Sequence, residues 1–188
     1  MNMLASATKS PNVAPQDFDT VIKMTKLCLK EIAKVKYELN FTYAQLCANL
    51  SVHVKKIRGQ RSLYFEETWS SLPTISINVA DYCAGVTYLN EYASYQSSPV
   101  IGTITSCSPR TALLATVAHE VAHFIQYHCG PSVYYLHWCY KKPHGKGFKT
   151  IYRYLREAVV NPQVRADAGV TPQSQHNLSK NQVVFDEI

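Results

Sequence analysis

From Thr111 to Tyr140 the chain contains a single Asp, Glu, Lys or Arg, and that residue is Glu120. A run this apolar belongs in a core. A carboxylate in its middle is expensive unless a partner stabilises it, because burying an unpaired charge either destabilises the fold or shifts the group's pKa. The ends of the run define a helix. Ser108-Pro109 supplies an N-cap and a first-turn proline, and Gly130-Pro131 supplies a stop, which predicts a helix over about residues 109–128. His119 and His123 then lie one turn apart on one face, where two imidazoles can reach the same ion. Glu120 is rotated by about 100° from His119, clear of that ion but within reach of a water bound to it. This is the HExxH arrangement, in which two histidines hold zinc and the glutamate takes a proton from the water that attacks a peptide carbonyl. The competing reading has two hydrogen-bonded core histidines and a glutamate paired with a buried arginine.

A third ligand separates the two readings. The metzincin pattern requires Gly at 126 and His at 129, but those positions hold Gln126 and Cys129, and His128 falls about 140° round the helix from His123. A glutamate ligand is disfavoured because no acidic residue occurs between His123 and Glu157. His144 is the remaining candidate on phasing. It precedes a second predicted helix in which Phe148, Ile151, Tyr152, Leu155 and Val159 recur at helical spacing up to the Asn161-Pro162 stop. Four residues back from Phe148, His144 falls on the same inward stripe. His137 competes with it, from a segment without strong local constraint.

HExxH on one helix, followed by a His-Gly and an aromatic residue opening the next helix, resembles the SprT-like, Spartan-type metalloprotease domain. The resemblance spans roughly residues 20–160, and Thr74-Ile75-Ser76-Ile77-Asn78 is similar to the strand that precedes the active-site helix in that family. It implies His119, His123 and His144 as zinc ligands and Glu120 as the catalytic base. It also implies a substrate class, proteins bound or crosslinked to DNA. The Tyr-rich stretch from Tyr82 to Gln96 has no counterpart in the pattern, and no Cys-x-x-Cys pair follows the domain.

The formal net charge of +6 agrees with a nucleic-acid partner. Lys141, Lys142, Lys146, Lys149, Arg153 and Arg156 cluster around the candidate third ligand and form the expected electrostatic footprint. Lys23, Lys26, Lys30 and Lys34 recur at helical spacing and read more simply as a solvated face. No run has the length of a membrane span, and residues 1–15 lack the apolar core of a secretory signal, so no membrane partner and a cytoplasmic or host-cytosolic location are expected. The six cysteines have no metal spacing and are expected as buried free thiols.

The predicted organisation is a flexible leader over 1–15, one metalloprotease domain over 16–160, and a polar, poorly ordered tail over 161–188. Asp17 or Asp19 caps a first helix running to about Tyr37, and a short helical turn covers Thr42 to Ala48. Strands are expected at 52–55 and 62–66, paired as a hairpin through Arg58-Gly59-Gln60-Arg61, at 74–79, and at 100–105. The fold class is α+β and zincin-like, a small antiparallel or mixed sheet flanked by helices. In such folds substrate can add as a strand along the sheet edge, which makes Ser76 and Asn78 candidate substrate contacts. Tyr127, Tyr134 and Tyr135 are candidate donors to the developing oxyanion. Two other functions fit the same residues: a zinc-stabilised DNA-binding or adaptor module without proteolysis, and a protease of one partner protein that is indifferent to DNA.

Overall fold

The computed structural model describes residues 3–35, 41–65, 72–91, 95, 98–129 and 142–169. It is an α+β fold in which a four-stranded mixed sheet packs against helices. The strands are β1 (Ser6–Lys9), β2 (Ser51–Lys55), β3 (Leu63–Phe65) and β4 (Thr74–Asn78), in the order β1-β2-β4-β3. β1 and β2 are parallel, β2 and β4 are parallel, and β3 runs antiparallel to β4.

Two expectations about the sheet are corrected. The 52–55 and 62–66 segments do not form a hairpin, because β4 inserts between them. Ile75, Ser76 and Ile77 of β4 are all buried, so this strand takes an interior position, whereas Leu63 and Phe65 of the short β3 are exposed and suit an edge. The leader is not wholly flexible either. β1 lies within it, in register Ser6 with Ser51 through Lys9 with Val54, and Thr8 bonds the His53 ring at 2.9 Å. Among the described residues the apolar 100–105 segment makes one bridge, Leu89 with Ile104, and the chain turns at Gly102, whose φ is +32°.

The helices are α1 (Pro15–Ile32), α2 (Tyr43–Ala48), α3 (Ala80–Cys83), α4 (Pro109–Cys129), α5 (Lys146–Leu155) and α6 (Asn161–Asp167). α1 begins at Pro15, with Ala14 as N-cap and Asp17 in its first turn, and ends short of Tyr37 in a 3₁₀ turn over Ala33–Val35. Thr42 and Gln45 close a capping box on α2. Ser108 caps α4 by accepting a hydrogen bond from the Thr111 backbone N–H at 3.2 Å. α4 is the central element, packed against α1, α5 and β4. Its Ala118, Val121, Ala122, Phe124 and Ile125 are fully buried, which explains a sequence apolar on every side. No helix among the described residues is long and apolar enough to cross a membrane.

The predicted stop at Asn161-Pro162 and the predicted tail from 161 are also corrected. After α5 the chain widens into a π turn, Arg156–Val160, closed by Asn161 N–H to the Arg156 carbonyl, and continues as α6. Pro162 sits in the first turn of α6, where its missing N–H costs nothing. The segment ties back to the domain: Asn161 Nδ2 donates to the Val100 carbonyl at 3.1 Å, and Asp167 accepts from the Ser108 N–H at the head of α4 at 2.7 Å. Residues 170–188 of the expected tail lie outside the described residues. Replacing Asn161 and Asp167 together by Ala should lower unfolding stability by about 1–3 kcal/mol, at roughly 1 kcal/mol for each lost bond. Thermal melts check this, and an unchanged midpoint would show that the segment does not tether α4.

Candidate metal centre

α4 presents His119 and His123 one turn apart, and the turn that follows Pro143 brings His144 against both. The Nε2 of His144 lies 3.2 Å from that of His119 and 3.0 Å from that of His123. One ligand atom from each of the three residues falls within 4.8 Å of the others. Nitrogens bound about 2.05 Å from a tetrahedral zinc would be ~3.3 Å apart, so this donor set fits zinc. Burial and then the neighbouring imidazoles hold His119 well below its usual pKa, the same two causes lower His123 to about 3, and burial lowers His144. All three rings are therefore neutral near pH 7, the form in which imidazole nitrogen binds a metal.

His144 does not stand on a helix stripe. It occupies the turn before α5 with φ +56°, a left-handed conformation that few non-glycine residues adopt, and Gly145 caps the helix after it. A Cβ on Gly145 would meet the Lys142 Cβ at 3.0 Å and the Lys142 carbonyl oxygen at 3.1 Å, so a side chain at 145 would require the turn to shift by a few tenths of an ångström. The turn is held from α4. Gln126, fully buried, donates through Nε2 to the Lys142 carbonyl at 2.9 Å, and the Gly145 N–H donates to the same oxygen at 3.0 Å. The Phe148 ring floors the cluster, with its centroid 4.3, 4.8 and 4.9 Å from those of His123, His119 and His144. Gln126→Leu should therefore weaken metal binding by roughly 10–100-fold, the range typical of groups that orient ligands. Competition with a chromogenic chelator measures it, and wild-type affinity would show that the turn holds itself.

Glu120 is 6 % exposed, and its carboxyl is pushed up to about 8 by burial, with Lys55 pulling the other way. It lies where two cavities meet, one of about 610 Å³ and one of about 290 Å³, and Ser62, His119 and Glu120 line both. The smaller cavity carries Leu63 and Tyr64 of β3 on one side and Pro143 and His144 on another. Tyr64 stacks on Tyr127 at 5.4 Å and on His123 at 6.4 Å.

Of the two expected substrate contacts, Asn78 lines the larger cavity with His119 and Glu120, whereas Ser76 turns away from the histidines. Ile75 pairs in register with Tyr64, whose ring faces His123, so by strand alternation Ser76 points to the opposite face, beside Leu63 and His53. Ser76 is also buried. The Asn78 side chain is committed to the 57–60 turn, donating to the Ile57 and Gln60 carbonyls at 2.7 and 2.6 Å and accepting from the Ile57 N–H at 3.1 Å. The edge strand beside the histidines is β3, because β4 is interior. Of the oxyanion candidates, Tyr127 lines the smaller cavity. Tyr134, Tyr135 and the competing ligand His137 lie outside the described residues.

The basic cluster is partly dispersed. Lys142, Lys146 and Arg153 are exposed, and Lys149 is half-buried with Nζ 5.3 Å from the Tyr95 ring centre. Arg156 is buried and pairs with the Glu91 carboxylate at 3.0 Å, so it presents no charge to solvent. Glu91 also accepts from the Tyr152 hydroxyl, and the Tyr152 ring meets His119 edge-on at 5.2 Å. Sequence reasoning missed this network although a signal existed. Glu91 is the only Asp, Glu, Lys or Arg between Tyr82 and Pro109, the same isolation that marks Glu120.

The model of the SprT-like family matches residues 55–176, which contain all three histidines and Glu120. No curated protein and no solved structure matches the chain.

Proposed function

The chain belongs to the SprT-like family, and on that premise we propose that it is a zinc-dependent endopeptidase acting on proteins associated with DNA. The observation that carries the reading is the convergence of three neutral imidazoles beside the buried Glu120 carboxyl, at the junction of two cavities, the smaller of them lined by β3. Zinc, when bound, supplies Lewis-acid activation of water and of the scissile carbonyl. His119, His123 and His144 would hold it. A cation held beside Glu120 would favour its ionised form against the burial that raises its pKa, and in that form Glu120 accepts the proton of the attacking water and delivers it to the departing amine nitrogen. The smaller cavity, between Leu63 and Tyr64 on one side and Pro143 and His144 on the other, takes an extended segment of substrate beside the histidines. Tyr127 is the candidate donor to the developing oxyanion.

The DNA partner is supported by Lys146 and Arg153, which share one face of α5, and by Lys142 beside His144. Phosphate contacts from such groups make binding fall steeply with salt.

Metal content by mass spectrometry on wild type, His144→Ala and His137→Ala tests the centre, and cleavage of casein or histones with and without single-stranded DNA tests the activity. One zinc per chain, lost with His144 and retained without His137, is the expected result, together with cleavage that DNA stimulates and salt suppresses. Zinc without proteolysis would transfer the site to the non-hydrolytic module. Cleavage indifferent to DNA would transfer it to a protease of a single partner.

A further inference from the structure

Among the described residues that line the larger cavity, Glu91 and Glu120 are the buried carboxyls, and only Glu120 has a part in the proposed proton transfer. The two oxygens of Glu91 are not equivalent. Oε1 accepts both internal hydrogen bonds, from the Tyr152 hydroxyl and from Arg156 Nη1 at 3.0 Å. Oε2 takes no hydrogen bond among the described residues and is not sealed from solvent, so it is the edge that Glu91 shows to the cavity. A carboxylate oxygen has room for two donors, and a ligand that excluded water without supplying one would leave it unsatisfied at a cost.

The carboxyl is fixed in place and close to the histidines. Arg156 is itself held by Asn161, to whose Oδ1 its Nε donates at 3.1 Å. The Tyr152 hydroxyl bonds Glu91 while its ring meets His119 edge-on at 5.2 Å, so the carboxyl stands within about three residues of extended peptide from the cluster. Arg156 also balances the charge of Glu91 from inside the fold, with its side chain 4 % exposed. A cation entering from the cavity would give up hydration to a carboxylate already neutralised, whereas a neutral N–H brings a donor that itself needs an acceptor once water is excluded. A peptide main chain carries such a donor at every residue but proline.

We propose that Glu91 is a substrate-binding residue whose Oε2 accepts a hydrogen bond from one main-chain N–H of the peptide. The proposal rests on the peptidase reading above and deepens it. A contact of this kind fixes how the chain is registered against the histidines and selects no side chain.

The test exchanges donor and acceptor. In Glu91→Gln, Arg156 and Tyr152 hold the amide oxygen, so an NH₂ group takes the place of Oε2 at the cavity. Full-length, zinc-loaded Glu120→Gln protein, with and without Glu91→Gln, is titrated by anisotropy with fluorescent ten-residue peptides tiled through casein. In the tightest binder each amide is then replaced in turn by an ester, which removes one N–H. With Glu91 in place, the ester at one position should weaken binding by about tenfold or more, the effect of losing a hydrogen bond to a charged group. Glu91→Gln should weaken the all-amide peptide by a similar factor, and the ester at that same position should restore binding. A role confined to bracing Arg156 and Tyr152 would shift every peptide alike. If Glu91→Gln alone fails to fold, Glu91→Gln with Arg156→Gln removes the buried charge and keeps a donor to the amide oxygen. No binding of any peptide, no position that stands out, or the same loss with and without Glu91→Gln would overturn the contact. Casein cleavage by protein with Glu120 intact separates this failure from failure of the underlying reading. Cuts without the exchange at residue 91 would retire the contact alone, whereas the exchange without cuts would retire the peptidase and keep the contact.

Discussion

Glu120→Gln should reduce peptide cleavage by about 10²–10⁴-fold and leave zinc content at the wild-type level, because it removes a proton acceptor and no metal ligand. Glutamine preserves the size and the hydrogen-bonding reach of the side chain, so the two cavities that meet at residue 120 keep their shape. The same substitution has a second signature in metal-free protein. A carboxyl whose folded pKa is raised from 4.5 to about 8 contributes stability that is fully present below the lower value and is lost as pH rises through the higher one. Glutamine does not titrate. The melting temperature of the metal-free variant should therefore gain on that of the metal-free wild type between pH 5 and pH 8.5 (a window set about those two values). Thermal melts in chelator across that range provide the measurement. Cleavage at the wild-type rate by the Gln protein would remove Glu120 from the proton-transfer role.

Glu91→Ala should be the most damaging single change away from the histidines. It strands the Arg156 guanidinium in a buried position and removes the acceptor of the Tyr152 hydroxyl. Burial pushes the Glu91 carboxyl up, while the Tyr152 hydrogen bond and the Arg156 charge pull it back, so the carboxylate depends on both partners. Breaking one side of such a pair typically costs about 3–5 kcal/mol, whereas replacing both sides by apolar residues is often close to neutral. For a chain of this size that corresponds to a fall of about 6–20 °C in melting temperature for the single variant. Glu91→Leu combined with Arg156→Met should recover most of it. Urea unfolding of the single and double variants gives the coupling energy. A cost under about 1 kcal/mol for the single change, the range of exposed pairs, would mean that water reaches the pair and no buried clamp exists.

The candidate site was more legible than the sheet, for a physical reason. His119, Glu120 and His123 belong to one helix whose cap, stop and periodicity are local, so their relative placement follows from helix geometry alone. His144 was found by phasing that does not apply to it. It belongs to a left-handed turn, and its partnership with α4 depends on Gln126 bonding a backbone carbonyl sixteen residues away. Strand order was not legible, because β2 and β3 are neighbours in sequence and suggest a hairpin, while the burial of both faces of β4 places it between them. The continuation past Pro162 was hidden because a π turn carries the chain through a proline that ordinarily ends a helix. Ser76 was misplaced by the same topology, since its assignment required β4 to be an edge, whereas Asn78 at the end of that strand reaches the larger cavity.

The unequal mounting of the three imidazoles has a consequence for metal exchange. Two are fixed to the most buried helix of the domain and stand as a preformed pincer. The third hangs on a short turn whose geometry combines a left-handed histidine, a glycine and one glutamine-held carbonyl. Local opening of residues 142–145 would withdraw one of the three candidate ligands while α4 stays folded, so exchange of a bound ion would depend on the contacts of that turn and not on global unfolding.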